Sequence, residues 1–350
     1  MYTYKCNCGG RLFFNNSVCT GCGHEVAWCE ACRTVVPLER QNEGYRCGNS
    51  KCAQTVAKCS NFVNHGVCNR VLVVEGDDAA GLCKACRLNR VIPDLSVDGN
   101  RQRWADLETA KRRLLYQLDE LGLKYAAEDL PEGAKSLMFS FQATTPESTI
   151  FTGHWDGLIT INIAEADSVE RERVRTMMHE PHRTLLGHMR HETGHFYWMM
   201  LVENAREEEF STLFGDYRNP PYAEALERYY QYGPASGWAT QYVSAYASSH
   251  PWEDFAETWG LYLDLWAVVT TTRHHLPSLL AHPNELPIDV VVKCYQQLGV
   301  FFNEINRTMG LTDLVPEVIV PPVVKKIDFI HRIVGSPALE DSNVKTSAAN

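Results

Sequence analysis

Twelve of the thirteen cysteines fall between Cys6 and Cys86, and only Cys294 lies elsewhere. So dense a run constrains the fold before any other feature does, because the stretch carries few large aliphatic side chains and needs cross-links to hold a structure. Disulfides and metal ions are the two ways of tying it. Four of the spacings are CxC or CxxC, and the opening MYTYKCNCGG has no apolar leader for export, so thiolate-bound zinc in a reducing cytoplasm is expected rather than disulfides. The cysteines sort into three consecutive sets: Cys6, Cys8, Cys19 and Cys22; Cys29, Cys32, Cys47 and Cys52; Cys59, Cys68, Cys83 and Cys86. Each suits a closed tetrahedral four-cysteine zinc site of the ribbon kind. Sequential grouping is the expectation, with an interleaved cross-brace as the alternative. Cys294 reads as an inert core thiol.

Charge narrows the partners. The net charge is −10, which disfavours a general nucleic-acid binder. Residues 1–92 look basic, with eleven Lys and Arg against seven Asp and Glu, but twelve thiolates and three Zn²⁺ would take that +4 to about −2. No stretch approaches the roughly 20 apolar residues of a membrane helix.

Beyond the cysteines the periodicity becomes helical. Trp104, Leu107, Leu114, Leu118 and Leu121 mark one face of a helix over 101–123. Residues 136–144 and 150–164 read as strands, with Trp155-Asp156-Gly157 supplying hairpin-turn chemistry. Helices are expected over 167–179, 183–204, 222–231, 238–248, 251–269, 287–309 and 327–334, and residues 315–322 as a proline-rich connection. HEPH at 179–182 reads as a helix junction, since Pro181 interrupts it.

The helix over 183–204 has almost no polar face, yet it carries Arg190, His191, Glu192 and His195 within RHETGHFYW. Residues four apart on a helix sit about 40° from each other, so His191 and His195 project to one side and can share a metal. Glu192 lies beside them, placed to take a proton from a water. A chain of this composition holds roughly 0.04 chance matches to HExxH, so coincidence is a poor explanation. Gly194 adds to the case, because a glycine inside a helix costs about 1 kcal/mol and implies a close approach to its backbone.

A catalytic zinc takes three protein ligands and keeps one position open. The third is sought in YASSHPWEDFAETWG, residues 246–260, where Glu253 and Glu257 share a helix face four residues apart. Glu253 is assigned as third ligand and Glu257 as the carboxylate that fixes a ligand histidine's tautomer. Glu257, His250 and Asp254 stand as alternative ligands, although Asp254 is turned about 100° from Glu253. His188, three residues before His191, is given a supporting or packing role.

RTLLGHMRHETGHFYW (183–198), LFGDY (214–218) and SAYASSHPWEDFAETW (244–259), together with the opening YKCNCGGRLFFNN, resemble a bacterial family of zinc-binding metallopeptidases with an N-terminal zinc ribbon, over roughly residues 2–335. The HExxH plus EDFAE arrangement is also similar to gluzincins of the anthrax lethal factor type. That second resemblance implies that Tyr246, seven residues before Glu253, aims its hydroxyl at the oxyanion.

The expected fold is α+β: a three-zinc ribbon module over 1–92, a mostly helical zincin-like domain with a small β-sheet over 93–335, and a disordered tail over 336–350. The expected chemistry is hydrolysis of a peptide or isopeptide bond, with one catalytic and three structural Zn²⁺. The substrate would be a peptide or protein, with the ribbon module free to dock a protein partner. The competing expectation is an adaptor for protein or nucleic acid built on an inactive zincin platform.

Overall fold

The computed structural model describes residues 1–41, 44–74, 81–167, 184–280, 283 and 286–335. All but the first residue of the expected 167–179 helix, HEPH at 179–182 and the 336–350 tail lie outside these residues.

Strands β1 (Tyr4–Lys5) and β2 (Arg11–Leu12) pair antiparallel across a turn that carries Cys6 and Cys8. Next come β3 (Val26–Cys29), β4 (Thr34–Arg40), β5 (Tyr45–Cys47), β6 (Thr55–Lys58), helix α1 (Ser60–His65) and β7 (Arg70–Val73). Strands β3 to β7 close into a barrel, with β7 returning parallel to β3. Ala27, Val36, Leu38, Val56 and Val71 fill it together with Cys29 and Cys47. Mostly small side chains, three of them valines, thus supply a core where large aliphatics are scarce.

Helix α2 (Lys84–Arg87) leads straight into β8 (Asn89–Val91), followed by α3 (Asn100–Glu120), β9 (Met138–Gln142), β10 (Gly153–Trp155) and β11 (Leu158–Asn162). The sheet order is β10-β11-β9-β8, so the strand that follows the last cysteines joins the sheet beyond them. Strand β11 runs parallel to β9, as does β8, while β10 is an antiparallel edge. Its hairpin turns at Asp156 and Gly157, with φ of 49° and 87°, the left-handed pair that a two-residue turn of this type requires.

The remaining α-helices among the described residues are α4 (Leu185–Leu201), α5 (Glu207–Phe214), α6 (Tyr222–Tyr232), α7 (Pro251–His275), α8 (Ile288–Thr308) and α9 (Pro321–Val334). Helix α5 was not expected. Its acidic first turn, Glu207 to Glu209, complements the helix dipole, and Phe210 and Phe214 anchor it. The helix expected over 238–248 is instead two 3₁₀ turns, Trp238–Thr240 and Tyr246–Ser249. Serines cause the change: Ser244 Oγ accepts from the Ala247 N–H at 3.0 Å, and Ser248 Oγ donates to the Ala245 carbonyl at 2.6 Å, bonds that compete with helix formation. The prolines read as a connection open α9, where a missing N–H costs nothing. Cys294 is half-buried on α8 rather than sealed in the core.

One core joins most of these parts. Trp104, Leu107, Leu114 and Leu118 of α3 are fully buried, as expected from their spacing. They share a cluster with Phe139 and Phe141 of β9, Phe196 of α4, Trp259 of α7 and the third cysteine set. On α3's other side Tyr116 meets Phe14 and Trp28 edge-on, with ring centroids 5.4 and 5.6 Å away.

Candidate metal centre

Helices α4 and α7 cross at Gly194. A Cβ there would stand 2.7 Å from Ala256 Cα, too close for any other residue without a shift. The missing side chain lets the two backbones meet, which sets His191 and His195 opposite Glu253 and Glu257. The close approach expected from the sequence is therefore that of α7.

Glu253 Oε2 lies 3.1 Å from His191 Nε2 and 3.5 Å from His195 Nε2. One ligand atom from each of the three residues falls within 4.8 Å of the others. His191 Nδ1 is 2.7 Å from Glu257 Oε1, so the ring proton sits on Nδ1 and the Nε2 lone pair faces Glu253. A lone pair aimed at a buried carboxylate oxygen is repulsive unless positive charge, a metal ion or a second ring proton, lies between them. Glu253 Oε2 has no hydrogen-bond donor among the described residues. Burial would lower the His191 pKa, but Glu253 and Glu257 lift it well above its ordinary value. Burial would raise that of Glu253, but His195 and His191 pull it well below. Both shifts report a pocket arranged for added positive charge, and two imidazole nitrogens with one carboxylate oxygen are a zinc donor set.

Glu257 is itself held. Its Oε2 accepts from Ser244 Oγ at 2.7 Å, and its pKa stays low because His191 and Ser244 outweigh burial. The loop before α7 thus reaches His191 through Ser244 and Glu257. Glu192, which follows His191 on the helix, is buried, and its Oε2 has no hydrogen-bond partner among the described residues. Burial raises its pKa against the opposing pull of His191 and His195.

The alternative ligands are placed elsewhere. His250 caps α7, accepting from the Trp252 N–H at Nδ1 (3.1 Å) and donating from Nε2 to the Tyr217 carbonyl (3.0 Å). Asp254 faces away and meets Lys326 of α9 at 2.6 Å, and burial still lifts its pKa to about 7 against that lysine. His188 pairs with Glu165. Tyr246 is largely buried, with its ring centroid 6.1 Å from His191, and burial raises its pKa.

Three further residues line the centre. Trp252 lies against His195, ring centroids 3.8 Å apart. His154, on β10, stacks on His195 with ring centroids 6.3 Å apart, and burial lowers its pKa to about 4, so it is neutral at pH 7. Tyr222 on α6 donates its hydroxyl to Glu253 Oε1 at 2.6 Å. Nothing in the sequence marks Tyr222, which is 31 residues from its partner.

The twelve cysteines assemble as the three consecutive sets, and the cross-brace does not form. A tetrahedron with metal–sulfur distances of about 2.3 Å has sulfur–sulfur edges of about 3.8 Å. Cys6–Cys22 (3.8 Å) and Cys8–Cys19 (3.7 Å) fit it in the first set, Cys32–Cys47 (3.8 Å) and Cys29–Cys52 (4.0 Å) in the second, and Cys68–Cys83 (3.8 Å) in the third.

A family model described as "Putative zinc-binding metallo-peptidase" matches residues 100–333, and a zinc-ribbon domain model matches residues 3–97. Proteins described as uncharacterized from Mycobacterium bovis and from two strains of Mycobacterium tuberculosis are each 33% identical over 349 residues, covering 97% of this chain and 96% of their own. No solved structure matches. With HExxH, its carboxylate partners and the cysteine sets all inside these matches, the chain belongs to the zinc-binding metallopeptidase family, with a zinc-ribbon domain at its N-terminus.

Proposed function

We propose that the protein hydrolyses a peptide or isopeptide bond at a zinc held by His191, His195 and Glu253, with three structural zincs in the cysteine sets. Its strongest support is the convergence of Glu253 Oε2 on both Nε2 atoms at 3.1 and 3.5 Å, beside a buried Glu192 whose Oε2 has no hydrogen-bond partner among the described residues. A bound Zn²⁺ supplies a Lewis acid that polarises the scissile carbonyl and acidifies the attacking water. Glu192 takes the proton from that water and passes it to the leaving amine, and a carboxyl whose pKa burial has raised suits both transfers. Glu257, braced by Ser244, keeps the His191 proton on Nδ1. Tyr246 donates to the developing oxyanion, the role that the likeness to lethal factor-type gluzincins suggests.

The substrate is an extended peptide. Among the described residues β10 pairs only with β11, so its outer edge has backbone groups available for another strand. That edge carries His154 toward His195 and leaves Trp155 exposed. No described helix is long and apolar enough to cross a membrane. The unpaired thiols suit the reducing cytoplasm, where they would keep their metals.

Glu192→Gln tests the mechanism. Hydrolysis of a peptide library should fall by about 100- to 10,000-fold while the zinc content is unchanged. Hydrolysis at the wild-type rate overturns the role of Glu192.

A further inference from the structure

We infer that Tyr222 is a positioning residue for the metal: it engages one oxygen of Glu253 so that only the other is offered to the ion. The inference rests on metal binding at His191, His195 and Glu253. The two carboxylate oxygens of Glu253 do different jobs. Oε2 faces both histidine nitrogens, whereas Oε1 accepts the Tyr222 hydroxyl at 2.6 Å, the length of a charge-assisted O–H···O⁻ bond. Glu253 is 1% exposed, so no bulk water competes for Oε1.

A carboxylate with both oxygens free can chelate a metal through the pair and fill the position that an attacking water needs. With Oε1 held by a strong donor, coordination through Oε2 alone is favoured, and a place on the metal stays open.

The seat of Tyr222 points to the same role. Helix α6 buries only Ala225, so it adds little to the core, yet its first residue reaches the metal ligand. The Tyr222 ring packs edge-on against His250 and Trp252, with centroids 5.2 and 5.3 Å away. Tyr222→Phe keeps those ring contacts and removes only the hydroxyl. A purely structural tyrosine would survive this change with its metal site unaltered.

The test uses the full chain, with zinc left in the cysteine sets and the histidine-held metal exchanged for cobalt. Chelator competition and the visible cobalt spectrum are then recorded for wild type, Tyr222→Phe and His195→Ala. Tyr222→Phe should bind cobalt about 10- to 100-fold more weakly, the usual cost of losing a ligand's hydrogen-bond partner. Its visible bands should also weaken, as they do when a cobalt ion gains a ligand beyond four. Retained cysteine-bound zinc verifies that the variant is folded. If cobalt enters the wild type but not His195→Ala, and Tyr222→Phe matches wild type in both affinity and spectrum, the inference about Tyr222 is overturned and the metal site stands. If wild type and His195→Ala take up cobalt alike, both are overturned.

Discussion

In the proposed centre Glu257 governs the metal site without offering an atom to it. By accepting from His191 Nδ1 at 2.7 Å it decides which nitrogen carries the proton and so which one can bind metal. Replacing it with Gln keeps the shape but removes the charge, and metal affinity measured against a chelator should fall by about 10- to 100-fold. An unchanged affinity would reduce Glu257 to a bystander. At this scale the sequence was legible wherever the partners share a helix: His191 with His195, and Glu253 with Glu257, because a period near 3.6 brings residues four apart together. It was not legible for His250, whose ring could have turned to a metal and instead caps α7. Tyr222 and Ser244 were hidden for another reason. Each meets its carboxylate from a different segment, and neither a motif nor a periodicity announces such a contact.

The pairing of those residues depends on how closely two helices cross. Gly194 faces Ala256 with no room for a methyl group, since an added Cβ would also meet the Ala256 carbonyl oxygen at 3.2 Å. Gly194→Ala should push α4 and α7 apart and destabilise the protein by about 1–3 kcal/mol in chemical denaturation, outweighing the gain in helix propensity. A variant as stable as the wild type would mean that the crossing is loose. Long amphipathic helices such as α3 were visible in the sequence because their buried positions repeat. The 3₁₀ segment before α7 was not, because its apolar residues mimic a helix while its serines bond locally. The barrel strands were hidden as well, being three to seven residues long with cysteines among their inward positions.

Across the whole molecule the cysteine-rich segment and the helices are built into one another. Strand β8 follows the third cysteine set directly and pairs with β9, and all four of those cysteines are buried in the cluster that holds Trp104 and Trp259. Arg112 of α3 donates to the Val67 carbonyl at 2.6 Å, beside Cys68, tying the helix to that set. The linear order of ribbon and peptidase segments could be read from the cysteine run and the HExxH motif, but their shared core could not, since it is made of contacts distant in sequence. The proposed chemistry therefore needs two kinds of metal site: three closed by four thiolates, and one with three ligands and an opening. Native mass spectrometry of the full chain, comparing wild type with a His191→Ala/His195→Ala variant, separates them most directly. Four zinc ions per wild-type chain and three in the variant are expected; a count that is the same in both would contradict a metal centre at the crossing of α4 and α7.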